Sequence, residues 1–137
     1  MKLLIKKMKK AVGIALVKGD SVLFQLRDDK TTIMPKHWGL PCGEVEKNET
    51  SKQAIIREFK EETGYQLKNP VLFVTDTYLE KGRKVRNHLY YEMYDGKQEI
   101  KCLEGEKMAF IPIKSLKRKK VIPRHDKYAQ KAIETVR

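Results

Sequence analysis

The chain has 137 residues, 40% of them apolar and 8% aromatic, with a formal net charge of +12, so it is expected to form one soluble globular domain over 1–137. It has no apolar run of about 18 residues, which argues against a transmembrane helix. Cys42 and Cys102 form no spaced set, so no disulfide framework or zinc site is expected, and a cytoplasmic setting fits.

The lysine-rich N-terminus leads into the apolar run Ala11–Val17. That run contains Gly13 and ends at Lys18-Gly19-Asp20 with no small-residue cleavage site, so it is predicted as a strand rather than a signal peptide. Ser21–Leu26 is β-rich and completes a hairpin. Residues 28–42 hold Pro35, Gly39 and Pro41 and are predicted as a loop. Residues 50–63 have helical character. Val71–Leu79 and Val85–Tyr94 are two more strands, the second ended by Asp95-Gly96, and Met108–Ile113 is a short strand. A last helix runs from Arg124 or His125 to Val136, after Pro123. Two hairpins, a central helix, further strands and a terminal helix predict a mixed α/β sheet with helices packed on it.

The positive charge sits at the ends. Residues 1–18 carry +6 and residues 114–137 carry +7, leaving −1 over 19–113. Basic ends are either a solvated lysine coat or a surface for a polyanion. For the latter, nucleotide polyphosphate is as good a candidate as RNA.

The central helix has a marked start and stop. Thr50 and Gln53 fit a capping box, and Gly64 fits the left-handed position just past the end. At about 100° per residue, Ile55, Ile56 and Phe59 share an arc that should face the sheet. Glu58, Glu61 and Glu62 share the adjacent stripe, where like charges repel. Arg57 can serve one carboxylate, and a hard divalent cation could serve several. Alone, such a stripe is more often a solvated face.

The wider spacing changes that. The segment Gly43–Tyr65 reads GEVEKNETSKQAIIREFKEETGY. It resembles the Nudix box, G-x5-E-x7-R-E-U-x-E-E-x-G-U with U apolar. Gly43, Glu49, Arg57, Glu58, Glu61, Glu62 and Gly64 occupy the fixed positions, and Phe59 and Tyr65 fill apolar ones. Looser likeness to MutT-type members covers most of the chain. The resemblance implies a Nudix fold, an α/β/α sandwich with a mixed sheet and a catalytic loop–helix–loop. It implies hydrolysis of a nucleoside diphosphate linked to a group X. The first expectation for X makes the substrate a nucleoside triphosphate. Dinucleoside polyphosphates, ADP-ribose, nucleotide sugars and RNA 5′ ends are alternatives. A silent nucleotide- or RNA-binding module is an alternative of another class, although such modules tend to lose box acids and this chain keeps them all.

By that resemblance, Glu58, Glu61, Glu62 and the Gly43 carbonyl hold Mg²⁺, or Mn²⁺ in its place. Glu49 and Arg57 form the supporting pair, in which Arg57 orients a carboxylate. The proton acceptor is not fixed within the family, and Glu106 matches the distant acid of MutT-like members. Arg27 matches a phosphate-contacting position; otherwise it is a surface arginine. Trp38 either packs in the core or under the box loop, or lines the base pocket. Asp126 either reads a nucleobase edge or caps the last helix. Cys42 stands where the family usually has glycine, and no base is evident beside it. His37, His88 and His125 share no spacing and are expected to be structural. Nucleotide partners, no membrane, and a monomer or homodimer complete the expectations.

Overall fold

A computed structural model describes residues 7–137. The basic stretch at 1–18 therefore lies partly outside the described residues. The chain forms β1 (Lys9–Lys18), β2 (Ser21–Leu26), β3 (Trp38–Gly39), β4 (Cys42–Glu44), α1 (Ser51–Thr63), β5 (Val71–Glu80), β6 (Arg83–Met93), β7 (Lys107–Pro112) and α2 (His125–Val136). A 3₁₀ turn at Ile113–Arg118 follows β7. No helix among the described residues is long and apolar enough to cross a membrane.

The strands make one mixed sheet. β1 runs parallel to β6 from Lys9↔Val85 to Val17↔Met93, and the other pairings between these strands are antiparallel. All of β1 from Ala11 to Val17 is buried, as expected for a strand covered on both faces. Val12, Ile14 and Leu16 pack with Ala54, Ile55 and Phe59 of α1. Ala15 and Val17 pack with Tyr128, Ala129, Ala132 and Ile133 of α2. The result is the expected α/β/α sandwich.

One edge of β1 is shared. Its C-terminal end pairs with β2 at Val17↔Val22 and Lys18↔Ser21, whereas its N-terminal half pairs with β4 at Ala11↔Glu44, Val12↔Gly43 and Gly13↔Cys42. β2 thus splays away from β1. The segment that returns through β3 fills the wedge, tied by Ile14 N–H to the Pro41 carbonyl at 3.0 Å. The expected loop at 28–42 therefore contains β3 and meets β4. These strands of two and three residues have no alternation to read; the splayed neighbours impose their pairing. The wedge sets Arg27, at the end of β2, opposite Cys42 and Gly43.

α1 begins with the predicted capping box. Thr50 Oγ1 accepts from Gln53 N–H at 3.1 Å, and the Gln53 side chain accepts from Thr50 N–H at 2.8 Å. Such a cap is worth about 1 kcal/mol. Gly64 ends the helix in the left-handed region at φ 76°. The buried face is rotated from the expected one: Ala54, Ile55, Phe59 and Glu62 are buried, and Ile56 is only half-buried. That rotation carries one carboxylate inward.

Candidate active site

The box loop packs against α1 at contact distance. A Cβ on Gly43 would overlap the Glu58 side chain, so only glycine permits the approach. Arg57 holds the loop to the helix. Its Nε donates to Glu49 Oε2 at 3.1 Å and its Nη2 to Glu49 Oε1 at 2.7 Å. Nη2 also donates to the Glu44 carbonyl at 3.0 Å, and Nη1 reaches Glu58 Oε1 at 3.0 Å and Glu61 Oε2 at 3.3 Å. This bidentate, charge-assisted fork is the strong kind of ion pair. It draws the Glu49 carboxyl below its ordinary range and raises Arg57 further, with the Glu49 hydrogen bonds as the largest cause.

The three helix acids differ. Glu61 is exposed and Glu58 half-buried, whereas Glu62 is 2% exposed. Burial raises the Glu58 carboxyl, opposed by Arg57. Glu62 is pushed up to about 9, first by burial and then by the negative charges of Glu104 and Glu58. Glu62 Oε1 is buried and has no hydrogen-bond partner. A buried carboxylate oxygen without a partner is costly. No three His, Cys, Asp or Glu side chains among the described residues converge as a ready-made metal cage. A hard cation that takes one or two carboxylates, and fills its shell with water and phosphate oxygens, needs no such cage. The orphaned Glu62 oxygen, the adjacent Glu58 and the loop backbone at Gly43 fit such an ion.

Glu104, and not Glu106, faces these acids. Backbone bonds from Lys101 N–H to the Thr63 carbonyl and from Leu103 N–H to the Glu62 carbonyl dock this segment on the end of α1. Gln25 Nε2 then donates to the Glu104 carbonyl at 2.7 Å. Gly105 turns the chain at φ 82°, where an added Cβ would press on Gln25 and the Leu26 carbonyl. Two residues on, Glu106 points away and pairs with Lys36 Nζ at 2.7 Å, both side chains well exposed. Glu106, the acid expected from the resemblance, therefore lines neither cavity beside Arg27 and Cys42.

Two adjacent cavities flank Arg27 and Cys42. One of about 400 Å³ is lined by Glu62, Glu104, Gln25 and Arg27. The other, of about 470 Å³, lies against the α2 side and is lined by Tyr78, Asn87, Ile122 and His125, among others. Lys9, Arg27, Cys42 and Glu44 line both. Arg27 is steadied by Nη1 to the Ile33 carbonyl at 2.8 Å. The Cys42 thiol is pushed up to about 11 by burial, so it stays protonated at neutral pH.

Two other expected substrate residues lie elsewhere. Asp126 is exposed on the first turn of α2 and lines neither cavity. It does not cap the helix either, because Arg124 is the cap residue, in the left-handed region at φ 78°, with no side-chain bond. Trp38 lines neither cavity. It packs against the α2-side core, and the Lys107 and Lys119 ammoniums lie 5.6 and 5.5 Å from its ring centroid. The residue that enters the cavity beside Asp126 is His125. Its Nδ1 accepts from Leu40 N–H at 2.9 Å, and burial lowers its pKa to about 3. Nothing in its sequence context marked it, because its partner is 85 residues away.

Known proteins share this fold. The family profile described as NUDIX domain matches residues 7–132. A protein described as a candidate mutator protein, MutT4, from Mycobacterium tuberculosis (strain CDC 1551 / Oshkosh) is 35% identical over 91 residues. That match covers 58% of this chain but 34% of the relative, so the chain spans about a third of that relative's length. The crystal structure of a MutT NUDIX hydrolase from Burkholderia pseudomallei aligns with a TM-score of 0.76 at 21% identity, covering 96% of this chain and 100% of that one. A bifunctional NMN adenylyltransferase/ADP ribose pyrophosphatase from Francisella tularensis, complexed with AMP and a Mn ion, aligns with a TM-score of 0.77 at 21% identity. There the match covers 96% of this chain and 42% of that one. With the family profile covering most of its length and the box folded as a loop clamped on an acidic helix, the chain belongs to the Nudix hydrolase family and is MutT-like.

Proposed function

We propose that this single domain hydrolyses a phosphoric anhydride of a nucleotide, with nucleoside triphosphates as the leading substrates and Mg²⁺ as the working cation. The observation that carries this is the buried Glu62 carboxylate, whose Oε1 lacks a partner beside Glu58 and Gly43. The retention of every box acid speaks against a silent binding module. The Francisella protein, of which this chain covers 42%, is complexed with AMP and a Mn ion, which is consistent with a divalent cation and a nucleotide here.

Glu58, Glu62 and the Gly43 carbonyl would hold the cation. Glu61 would join them through water, being exposed. When bound, a divalent cation neutralises phosphate oxygens and lowers the pKa of water. The protein groups do the rest. Arg57 keeps Glu58 in place through the Glu49 fork. Arg27, held by the Ile33 carbonyl, offers its guanidinium to phosphate where the two cavities meet. Glu104 stands where it can take a proton from an attacking water, its charge already coupled to Glu62.

The test is product analysis on the four nucleoside triphosphates with Mg²⁺. Nucleoside monophosphate and pyrophosphate are expected. Nucleoside diphosphate and phosphate would contradict the pyrophosphohydrolase assignment. Cleavage confined to ADP-ribose, dinucleoside polyphosphates, nucleotide sugars or RNA 5′ ends would move the substrate to that class.

A further inference from the structure

The larger cavity contains polar groups that neither the fold nor the proposed hydrolysis uses. Asn87 lies on β6, opposite Ala11 of β1 and Asp76 of β5, and its side chain is on the α2 side of the sheet. It is 3% exposed, and its carboxamide oxygen is buried without a hydrogen-bond partner. The carboxamide nitrogen has no partner among the described residues either. Buried amides are nearly always paired, because an unpaired one forfeits its hydrogen bonds to water. A sheet position between two strands that pair through their backbones does not need an asparagine. Its neighbours at the corresponding sites on that face, Val85 and Leu89, are apolar and buried.

His125 is a second polar group there, used by the fold on one side of its ring only. Leu40 N–H donates to its Nδ1, so the ring proton resides on Nε2. That N–H has no acceptor among the described residues, and the ring lines the same cavity. The surrounding wall joins apolar Ala11, Ile33, Met34, Val85 and Ile122 to charged groups that include Lys9, Arg27 and Glu44. At its edge the Arg124 guanidinium lies 4.1 Å from the Tyr78 ring centroid, forming a flat cationic–aromatic rim. A volume of about 470 Å³ is ample for a heterocycle and its sugar.

We propose that Asn87 and His125 are the specificity residues of this cavity, reading the hydrogen-bonding edge of the substrate's nucleobase. Asn87 offers one donor and one acceptor side by side, whichever way the carboxamide is turned. This matches a base edge that carries an adjacent acceptor and donor. His125 adds a fixed donor. The assignment rests on the cleft being a nucleotide site. It replaces Asp126 as the base-reading group, since Asp126 does not reach the cavity.

The experiment is equilibrium binding of AMP, GMP, CMP, UMP and ribose 5-phosphate to the full chain and to Asn87→Leu and Asn87→Asp. The full chain is expected to rank the four bases and to bind the best at least roughly 10-fold more tightly than the sugar phosphate. Asn87→Leu should bring the four within about twofold of one another. It should melt no lower than the full chain, because it replaces an unpartnered polar group with an apolar one. Asn87→Asp, which keeps acceptors and loses donors, should reorder the ranking rather than flatten it. The proposal is overturned if the full chain binds no monophosphate better than ribose 5-phosphate, or if both variants keep its ranking and affinities. Binding is read without turnover. A chain that ranks the bases but cleaves no anhydride would refute the hydrolase assignment and leave this one standing.

Discussion

Gly43 and Glu58 meet so closely that a methyl group on the first would occupy the space of the second's carboxyl. The loop backbone and the helix carboxylate are thereby set against one another. Gly43→Ala is expected to displace Glu58 and cut kcat/KM by about 100-fold, the scale of a displacement near 1 Å in a reacting geometry. Circular dichroism should show the fold intact. Near-normal kinetics in that variant would show that the contact is not needed.

Glu62 makes stability depend on pH and cation together. Its folded pKa, about 9, lies above the ordinary 4.5, so its contribution is fully present below pH 4.5 and is lost as pH rises toward 9. In chelator, Glu62→Gln should therefore overtake the wild type in melting temperature at alkaline pH. Cation binding needs the carboxylate, so apparent Mg²⁺ affinity should climb about tenfold per pH unit below pH 9. Parallel melting curves for the two proteins across pH 5–9 in chelator would contradict this.

Glu104 and Glu106 are both exposed, but only Glu104 lines the cavity that contains Glu62. Glu104→Gln is expected to lower kcat by about 100-fold or more, as loss of a proton acceptor does. Glu106→Gln breaks only an exposed pair with Lys36 and should stay within about threefold of wild type. Steady-state kinetics on both variants decide it, and the reverse order would restore Glu106.

His125 is buried neutral. Its pKa falls from 6.5 to about 3 on folding, so its contribution is present above pH 6.5 and is lost as pH falls through that window. Glu62 acts in the opposite direction over part of this range, so the measurement belongs in the Glu62→Gln background. There, denaturant unfolding should show a loss of roughly 2 kcal/mol between pH 7 and pH 5. A flat profile would mean that the ring is not held neutral.

The α1 segment was legible because its signals are local. Thr50 and Gln53 lie three residues apart, Gly64 closes the helix, and Arg57 reaches Glu49 within one loop and two turns. The long strands of the sandwich were legible from their apolar runs, whereas β3 and β4 were not. Which of Glu104 and Glu106 lines the Glu62 cavity could not be read from the sequence, because it is decided by the turn at Gly105 and by Gln25, 79 residues earlier. Asn87 and His125 could not be found for a similar reason. Only the parallel pairing of β6 with β1, and the bond from Leu40 to His125, bring them to one cavity. Asp126 matched the family in spacing, yet α2 turns it to solvent and presents its neighbour instead.

The central claim is that the carboxylates of α1 hold the cation that cleaves the anhydride. It is tested most directly by turnover of a nucleoside triphosphate under saturating Mg²⁺, comparing wild type with Glu62→Gln at matched folding. Wild type should release pyrophosphate and stop in chelator, while Glu62→Gln should lose at least about 100-fold in kcat. Full activity in Glu62→Gln, or wild-type turnover that persists in chelator, would contradict the account.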